Sequence, residues 1–277
     1  MPFHERAYAK LNLILQVGPP RDADGLHPLC SLFASIDLAD DINGSRTAAG
    51  SDSVECPGVP GRNLALDAVD LFRARIGSPG GYVAMRIDKR IPVAAGLGGG
   101  SADAAAVLRM LNRMNGSPLD PAELRALAAR LGADVPSQIE PGHALVQGVG
   151  EQVDQVELPP LTAVLVPSDA GLSTSDVYAE LDRLGGWREQ LDPAPLRLAA
   201  GAGPARLAAA VENDLGPAAL SLRPELQDTL AGLRDAGALG AAVSGSGPTC
   251  FGLFKTRASA EAAAASFPAA IVSGFRG

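Results

Sequence analysis

The sequence predicts an α+β protein with two domains, residues 1–158 and 159–277, and three observations support this prediction. Hydrophobic residues make up 47% of the 277 residues, enough for a sizeable core. Segments of alternating hydrophobicity, typical of strands, are interspersed with segments of helical periodicity. The proline pair at 159–160 separates the two halves, since prolines interrupt helices and central strands.

The first half is predicted to mix strands and helices. Leu11, Leu13 and Leu15 share one face of a first strand that ends near Val17, because side chains alternate across a strand. The other predicted elements are a strand at 29–36, an acidic turn at 37–41, irregular strands and loops at 43–61, a helix at 63–76, a strand at 82–89, a helix capped by Ser101 or Asp103, a helix after Asp120 to about Leu131, and strands at 143–147 and 151–158.

The second half is predicted to contain an antiparallel sheet with helices packed on it. Ser173 is a suitable cap for a helix that ends near Leu184, and the Gly- and Pro-containing stretch 185–204 is typical of a flexible connection. The other predicted elements are strands at 161–166, 239–243, 249–254 and 269–274, and helices at 204–212, 215–221, 223–236 and 258–265.

The stretch from Pro92 to Ala102 is the strongest motif, with four glycines between a predicted strand and a predicted helix. Glycine tolerates positive φ and lets a ligand approach the backbone closely. The first N–H groups of a helix lack partners within the helix, and its dipole adds positive charge there, so such a loop suits phosphate groups. The loop matches neither a Walker A nor a Rossmann sequence. The structural alternative is a tight turn that packs the helix on a sheet.

Composition excludes several classes of function. The net charge of −8 argues against broad nucleic-acid binding, which needs a basic face. The chain has no apolar run of membrane-spanning length and opens without the apolar core of a signal peptide, so no membrane partner is expected. Cys30, Cys56 and Cys250 show no metal-ligand spacing, which predicts a reduced cytoplasmic protein without a metal-ligating residue.

Three segments resemble motifs of the GHMP kinase superfamily, named for galacto-, homoserine, mevalonate and phosphomevalonate kinases. The glycine loop is similar to its second motif, and residues 241–251 are similar to its third. Residues 9–13 and 24–27 resemble the first motif of one member, which phosphorylates a cytidine diphosphate-linked alcohol of isoprenoid biosynthesis. Residues 132–136 also resemble that member. The similarity covers nearly the whole chain in order.

The resemblance implies a fold and a reaction. The fold would be the two-domain GHMP kinase fold, with a ribosomal-S5-like nucleotide-binding domain at 1–158 and a ferredoxin-like α/β sandwich at 159–277. The reaction would be ATP-dependent phosphorylation of the 2-hydroxyl of the small-molecule cytidine diphosphate substrate, with Mg²⁺ expected because ATP phosphates need neutralising. A monomer or weak homodimer is expected.

The resemblance also implies site residues. Lys10 would lie near the transferred phosphate, and Asp134 would accept the alcohol proton, since a positioned carboxylate helps an alcohol to attack. The residues implied in nucleotide binding are Pro92, Val93, Ala94, Ala95, Gly96, Leu97, Gly98, Gly99, Gly100, Ser101, Ala102, Asn63 and Lys89. The residues implied in substrate binding are Asn12, His27, Tyr178, Gly245 and Ser246.

Each implied role has a structural alternative. Lys10 is compatible with a solvated lysine, Asp134 with a helix N-cap, and His27 with a loop histidine held by its neighbours. Leu26 departs from the family pattern, which has an aromatic residue there, so base stacking on that side is expected to be weaker. The alternatives at the level of function are another GHMP kinase, acting on homoserine or mevalonate, and a non-catalytic nucleotide-binding module. Retention of both Lys10 and Asp134 argues against the latter.

Overall fold

Two structural units divide the chain in the computed structural model, which describes residues 2–48, 50–61, 63–77, 81–168 and 171–276. The first unit comprises the chain up to Ala9, Leu38–Val93 and Gly98–Pro141. The second comprises Lys10–Asp37, Ala94–Leu97 and the chain from Gly142 onward. The chain therefore passes between the units five times, whereas the sequence predicted one boundary at residue 159. Those domain limits stay a prediction.

The first unit packs helices against a sheet. Its elements are part of β1 (Pro2–Val17), part of β2 (Leu29–Thr47), β3 (Ser53–Glu55), α1 (Leu64–Ile76), β4 (Tyr82–Asp88), α2 (Gly99–Met114), α3 (Pro121–Ala128) and a 3-10 turn at Pro136–Gln138. β4 lies between β2, with which it pairs antiparallel, and β3, with which it pairs parallel. The core is filled mainly by one face of α1, the buried alanines and leucines of α2, and the inward side chains of β4.

The second unit holds two sets of strands. Its elements are the remaining parts of β1 and β2, then β5 (Ala144–Gly148), β6 (Gln152–Gln155), β7 (Thr162–Val166), α4 (Thr174–Leu184), α5 (Ala194–Ala200), α6 (Pro204–Ala209), β8 (Glu212–Asn213), α7 (Gly216–Leu222), α8 (Leu226–Asp235), β9 (Gly240–Val243), β10 (Cys250–Phe254), α9 (Arg257–Ala264) and β11 (Ile271–Gly274). β8 pairs parallel with β1, and β5 lies between β2 and β6. A separate antiparallel sheet has the order β11-β7-β10-β9. The predicted α+β class and antiparallel sheet are confirmed.

The predicted acidic turn at 37–41 is wrong, because β2 runs without a break from Leu29 to Thr47. Asp41 to Thr47 pair with β4, and this pairing supplies the hydrogen bonds that a turn would otherwise provide. The carboxylates also have partners: Asp40 accepts hydrogen bonds from the Arg90 and Ile91 N–H groups, and Asp41 pairs with Arg90. Tertiary partners thus outweigh the local polar signal.

Three other predictions need correction. α2 begins at Gly99, with Gly98 in the left-handed conformation (φ 70°) at its N-cap, so neither Ser101 nor Asp103 caps it. The stretch at 185–204 contains α5, and is therefore not wholly a connection. The helix predicted at 204–212 ends at Ala209, and Glu212–Asn213 pair with β1 instead.

Within the described residues, no helix has the length and apolar character needed to cross a membrane.

Candidate active site

Two polar side chains lie on one face of β1 in the second unit. Lys10 and Asn12 are two residues apart, so strand alternation points them the same way. Lys10 Nζ donates a hydrogen bond to Asn12 Oδ1 at 2.5 Å, and Asn12 Nδ2 donates to Ser31 Oγ at 3.1 Å. Only 4% of Lys10 is exposed, which makes the solvated alternative wrong. A buried ammonium needs compensating polar groups, and this hydrogen-bonded chain supplies some of them.

Two loops of the second unit meet beside this lysine. The Lys10 main-chain N–H donates to Leu97 O at 3.0 Å, which joins β1 to the first part of the glycine loop. Ser244 Oγ donates to Gly96 O at 3.0 Å, and a Cβ on Gly96 would collide with the Ser244 main-chain oxygen. Gly96 has φ 74°, a conformation that favours glycine.

The loop after β9 lies near the ammonium end of the Lys10 side chain. A Cβ on Gly245 would lie 3.1 Å from Asn12 Oδ1 and 3.6 Å from Lys10 Nζ. Ser246 Oγ lies 2.9 Å from Thr174 Oγ1, at the start of α4. The second unit therefore brings together Lys10, Asn12, Gly96, Leu97 and residues 244–246. The roles that the resemblance implied for them stay predictions.

His27 is enclosed by groups of its own unit. Nδ1 lies 2.7 Å from Gly18 O, and because a carbonyl only accepts, Nδ1 carries the hydrogen. Nε2 faces Asp182 Oδ1 at 3.4 Å, and the ring centroid is 5.1 Å from that of Tyr178. The structure thus brings His27 and Tyr178 together, while Leu26 beside them is 51% exposed.

In the first unit, the remaining part of the glycine loop forms the beginning of α2. Gly99 and Gly100 are the first two helical residues, and the N-cap Gly98 has no side chain to bond the free N–H groups. The first turn carries no acidic residue, so the positive end of the helix dipole is not neutralised there. A Cβ on Gly100 would have no heavy atom within 4 Å, which indicates open space above this turn. This arrangement can bind an anion.

Lys89 lies beneath that helix start between two buried carboxylates. Its Nζ donates to Asp40 Oδ2 at 2.5 Å and to Asp103 Oδ2 at 2.8 Å. The side chains of Asp40 and Asp103 are 0% and 2% exposed. Burial, together with the Asp40 carboxylate, raises the pKa of Asp103 to about 7 against the opposing effect of Lys89.

Asp134 and Asn63 are further predicted site residues of the first unit, and each lies just before a helical segment. Asp134 is half-buried before the 3-10 turn, where its main-chain oxygen accepts from Ser137 Oγ, and Val135 rather than Asp134 holds the N-cap position. Asn63 caps α1 by accepting from the Ala65 N–H at 2.9 Å. Lys10 and Asp134 fall in different units, so their pairing stays a prediction.

Sequence reasoning missed three side chains that hold these groups in place. Asp40 was assigned to a turn, Asp103 was considered only as a cap, and Asn213 lay between two predicted helices, at 204–212 and 215–221. Each acts through partners more than ten residues away. Among the described residues no three His, Cys, Asp or Glu side chains are grouped so as to hold a metal ion.

Comparison with known protein families defines the class. Residues 63–142 match the model of the GHMP kinases N terminal domain, and residues 199–272 match that of the GHMP kinases C terminal domain. A homoserine kinase from Cytophaga hutchinsonii shares the fold, with a TM-score of 0.72 at 18% identity over 99% of this chain and 94% of that one. The glycine loop and its helix thus lie in the fold of a small-molecule kinase of the GHMP class.

Relatives of higher identity define the family within that class. A 4-diphosphocytidyl-2-C-methyl-D-erythritol kinase of Anaeromyxobacter sp. (strain K) is 45% identical over 93% of this chain and 82% of its own. One from Rhizobium johnstonii is 41% identical over 94% and 87%. A crystal structure of 4-(cytidine 5'-diphospho)-2C-methyl-D-erythritol kinase superposes with a TM-score of 0.82 at 34% identity, covering 99% and 100% of the two chains. The chain belongs to the 4-diphosphocytidyl-2-C-methyl-D-erythritol kinase family.

Proposed function

We propose that this kinase transfers the γ-phosphate of ATP to the 2-hydroxyl of 4-diphosphocytidyl-2-C-methyl-D-erythritol, in the cytoplasm and on the non-mevalonate route to isoprenoid precursors. The names of relatives at 40–45% identity support the substrate. The observation that carries the chemistry is the buried Lys10, whose main-chain N–H bonds Leu97 O and whose ammonium lies beside Gly245, where an added Cβ would come within 3.6 Å of Nζ. A fixed positive charge there suits a transferring phosphoryl group.

The nucleotide is assigned to the glycine-rich segment from Pro92 to Ala102. The uncapped first turn of α2 and the open space above Gly100 fit the phosphates of ATP. Lys89 uses two of its three donor hydrogens on Asp40 and Asp103, which leaves one for a ligand. Asn63 remains assigned near the nucleotide although it caps α1. Mg²⁺ is usually held through substrate phosphates and water, so we propose that it accompanies ATP and assign it no protein ligand.

The transfer step uses one base and one cation. Asp134 accepts the proton of the 2-hydroxyl as its oxygen bonds to the γ-phosphorus, and the bond from that phosphorus to the β,γ-bridging oxygen breaks to release ADP. A carboxylate within hydrogen-bond distance of the hydroxyl accepts its proton while the hydroxyl oxygen attacks, and this makes the oxygen a better nucleophile. Lys10 offsets negative charge on the phosphoryl group and is held in line by Asn12.

The cytidine end is assigned to the second unit. His27 and Tyr178 present a polar edge and an aromatic face, and Asn12, Gly245 and Ser246 line the path toward Lys10. Nδ1 of His27 is occupied by Gly18 and Nε2 faces Asp182, so the base is proposed to contact Nε2 in place of Asp182 and to bond the neighbouring backbone. The protein is proposed to act as a monomer or weak homodimer.

A substrate panel tests the assignment. Purified protein with ATP and Mg²⁺ is offered the cytidine diphosphate substrate, homoserine and mevalonate in separate reactions, and ADP release is coupled to a spectrophotometric assay. We expect turnover with the cytidine substrate at a kcat/KM at least about 10³-fold above the others, because buried polar groups left unpaired penalise the wrong ligand. Equal turnover of homoserine or mevalonate would refute the proposal.

A further inference from the structure

A buried cluster of Asp40, Lys89 and Asp103 lies in the first unit at the base of the glycine-rich segment. We propose that Asp40 and Asp103 are positioning residues for nucleotide binding. Both bond Lys89, and together they hold the segment before the glycine loop against α2, the helix that follows the loop. The inference rests on the part of the proposed function that places the ATP phosphates at the first turn of α2. It concerns residues to which neither the motifs nor the family resemblance assigned a role in binding.

Asp40 fixes the chain that enters the loop. Its Oδ1 accepts the main-chain N–H groups of Arg90 at 2.6 Å and Ile91 at 2.8 Å, directly before Pro92. Its Oδ2 accepts from Lys89, so both carboxylate oxygens are used. Asp40 belongs to β2, a long paired strand, and this makes a rigid support for the two residues that lead into the loop.

Asp103 fixes the helix that leaves the loop. It is the fifth residue of α2, its side chain points inward, and its Oδ2 accepts from Lys89. Its Oδ1 is buried and has no hydrogen-bond partner in the described structure. An ionised oxygen in that position costs free energy, whereas a protonated one can donate to a neighbouring carboxylate. The geometry therefore favours a protonated Asp103 next to Asp40.

The cluster is close enough to α2 for its charge to act on a bound anion. A Cβ on Gly99 would lie 3.2 Å from Lys89 Nζ and 3.0 Å from Ile91 Cγ2, so the ammonium lies directly under the first helical residue. With Asp103 protonated the cluster has no net charge, and with both carboxylates ionised it has a charge of −1. The negative form disfavours phosphate at the helix N-terminus.

The titratable groups around Asp103 are few among the described residues. Asp40 faces it from β2 and Lys89 from the segment after β4. Cys56, after β3, is coupled to the same cluster, but burial raises the pKa of its thiol, so it stays neutral near pH 7. The carboxyl of Asp103, whose pKa lies at about 7, is thus the group that changes charge in the physiological range.

Calorimetric titration with ATP, without any acceptor alcohol, tests the proposal between pH 6 and 8.5. Asp103→Asn mimics the protonated side chain, and the ratio of wild-type to variant Kd cancels the titration of the nucleotide itself. We expect a ratio near one at pH 6 that rises about 3–10-fold by pH 8.5, because ionised Asp103 adds one negative charge within several ångströms of the bound phosphates. Asp40→Asn is expected to weaken ATP binding about 10-fold at every pH, since it loosens the loop.

Asp52→Asn is the matched control. Asp52 is a largely buried carboxylate of the same unit that accepts from Arg73 and from the Val83 N–H, and both of these partners lie outside the glycine loop. Its Kd should follow that of wild type across the pH range. A wild-type/Asp103→Asn ratio that stays near one at every pH overturns the role of Asp103 even if Asp40→Asn does not fold. If ATP binds as expected but the cytidine substrate is not phosphorylated, only the proposed function fails.

Discussion

Asn213 Nδ2 donates a 2.8 Å hydrogen bond to the main-chain oxygen of Gly245, joining β8 to the loop that follows β9. The same nitrogen donates to Val243 O at 2.8 Å, while Oδ1 accepts the Leu215 N–H at 2.9 Å. Every hydrogen-bonding group at the end of this side chain is therefore used within the second unit. Since Gly245 borders Lys10 and Asn12, the amide of Asn213 sets the distance between that loop and the lysine.

Asn213→Asp is expected to lower kcat about 10–100-fold with little change in either KM, because a carboxylate oxygen would face two carbonyls and displace the loop. Asn112→Asp is the matched control: Asn112 is more buried than the partly buried Asn213 and likewise bonds main-chain groups, those of Leu119, but it lies in the first unit at the far end of α2. Both variants should lose thermal stability. Equal losses of kcat in the two would show that Asn213 acts only through folding.

Gly100→Ala distinguishes an effect on ATP binding from an effect on protein stability. The added Cβ has no heavy atom within 4 Å, and alanine favours a helix over glycine by about 0.5–1 kcal/mol, so the thermal midpoint should stay or rise. ATP affinity measured by calorimetry should nevertheless fall, since the methyl group would occupy the proposed phosphate site. Gly99→Val is a poorer probe because its Cβ would crowd Ile91 and Lys89. Unchanged ATP affinity in Gly100→Ala would move the phosphates away from this turn.

Asp134→Asn removes the proposed base while keeping the side-chain shape. We expect kcat to fall about 10²–10⁴-fold with ATP binding retained, because an amide cannot accept the hydroxyl proton. Rapid-quench measurement of the first turnover reports the chemical step itself. Turnover within a few-fold of wild type would leave Asp134 a structural residue of the turn before Pro136.

His27→Ala is expected to raise the KM for the cytidine substrate about 10–100-fold, equivalent to about 1.4–2.8 kcal/mol. Since Leu26 is exposed and stands where the resemblance implied an aromatic residue, polar contacts made by His27 are expected to contribute more to the proposed recognition of the base. The KM for ATP should barely change. Both constants are measured on one preparation: a parallel loss for ATP would indicate misfolding, and no loss for either would place His27 outside the pocket.

Local chemistry in the sequence was enough to predict the glycine loop, the strand that carries Lys10, and the antiparallel sheet of the second half. It misplaced the start of α2, because glycine has low helix propensity and the first turn needed no side-chain cap once Gly98 took the left-handed conformation. It also predicted a turn at 37–41 in place of continuous β2. The partners of Asp40 there, Lys89 and Arg90, lie about fifty residues away, so a local sequence pattern carries no information about them.

The same distinction between local and long-range information applies to the residues of the candidate site. Lys10, Asn12, His27 and Tyr178 were assigned through motifs, and the second unit places Lys10 beside Asn12 and His27 beside Tyr178. Asn213, which holds the neighbouring loop at Gly245, and Asp182, which faces Nε2 of His27, occur in no motif. Their roles depend on which elements the fold places side by side, and this information is distributed over the whole chain.

β1 and β2 each run without a break from one unit into the other, so neither unit corresponds to a single stretch of the gene. One recombination event cannot exchange the second unit, to which we assign the cytidine end of the substrate, for that of another kinase without cutting through a strand. New substrate specificity is therefore expected to arise by point substitution around His27 and Leu26. A chimaera made by joining halves of two relatives should fail to fold unless its junctions coincide with the five positions at which the chain passes between the units.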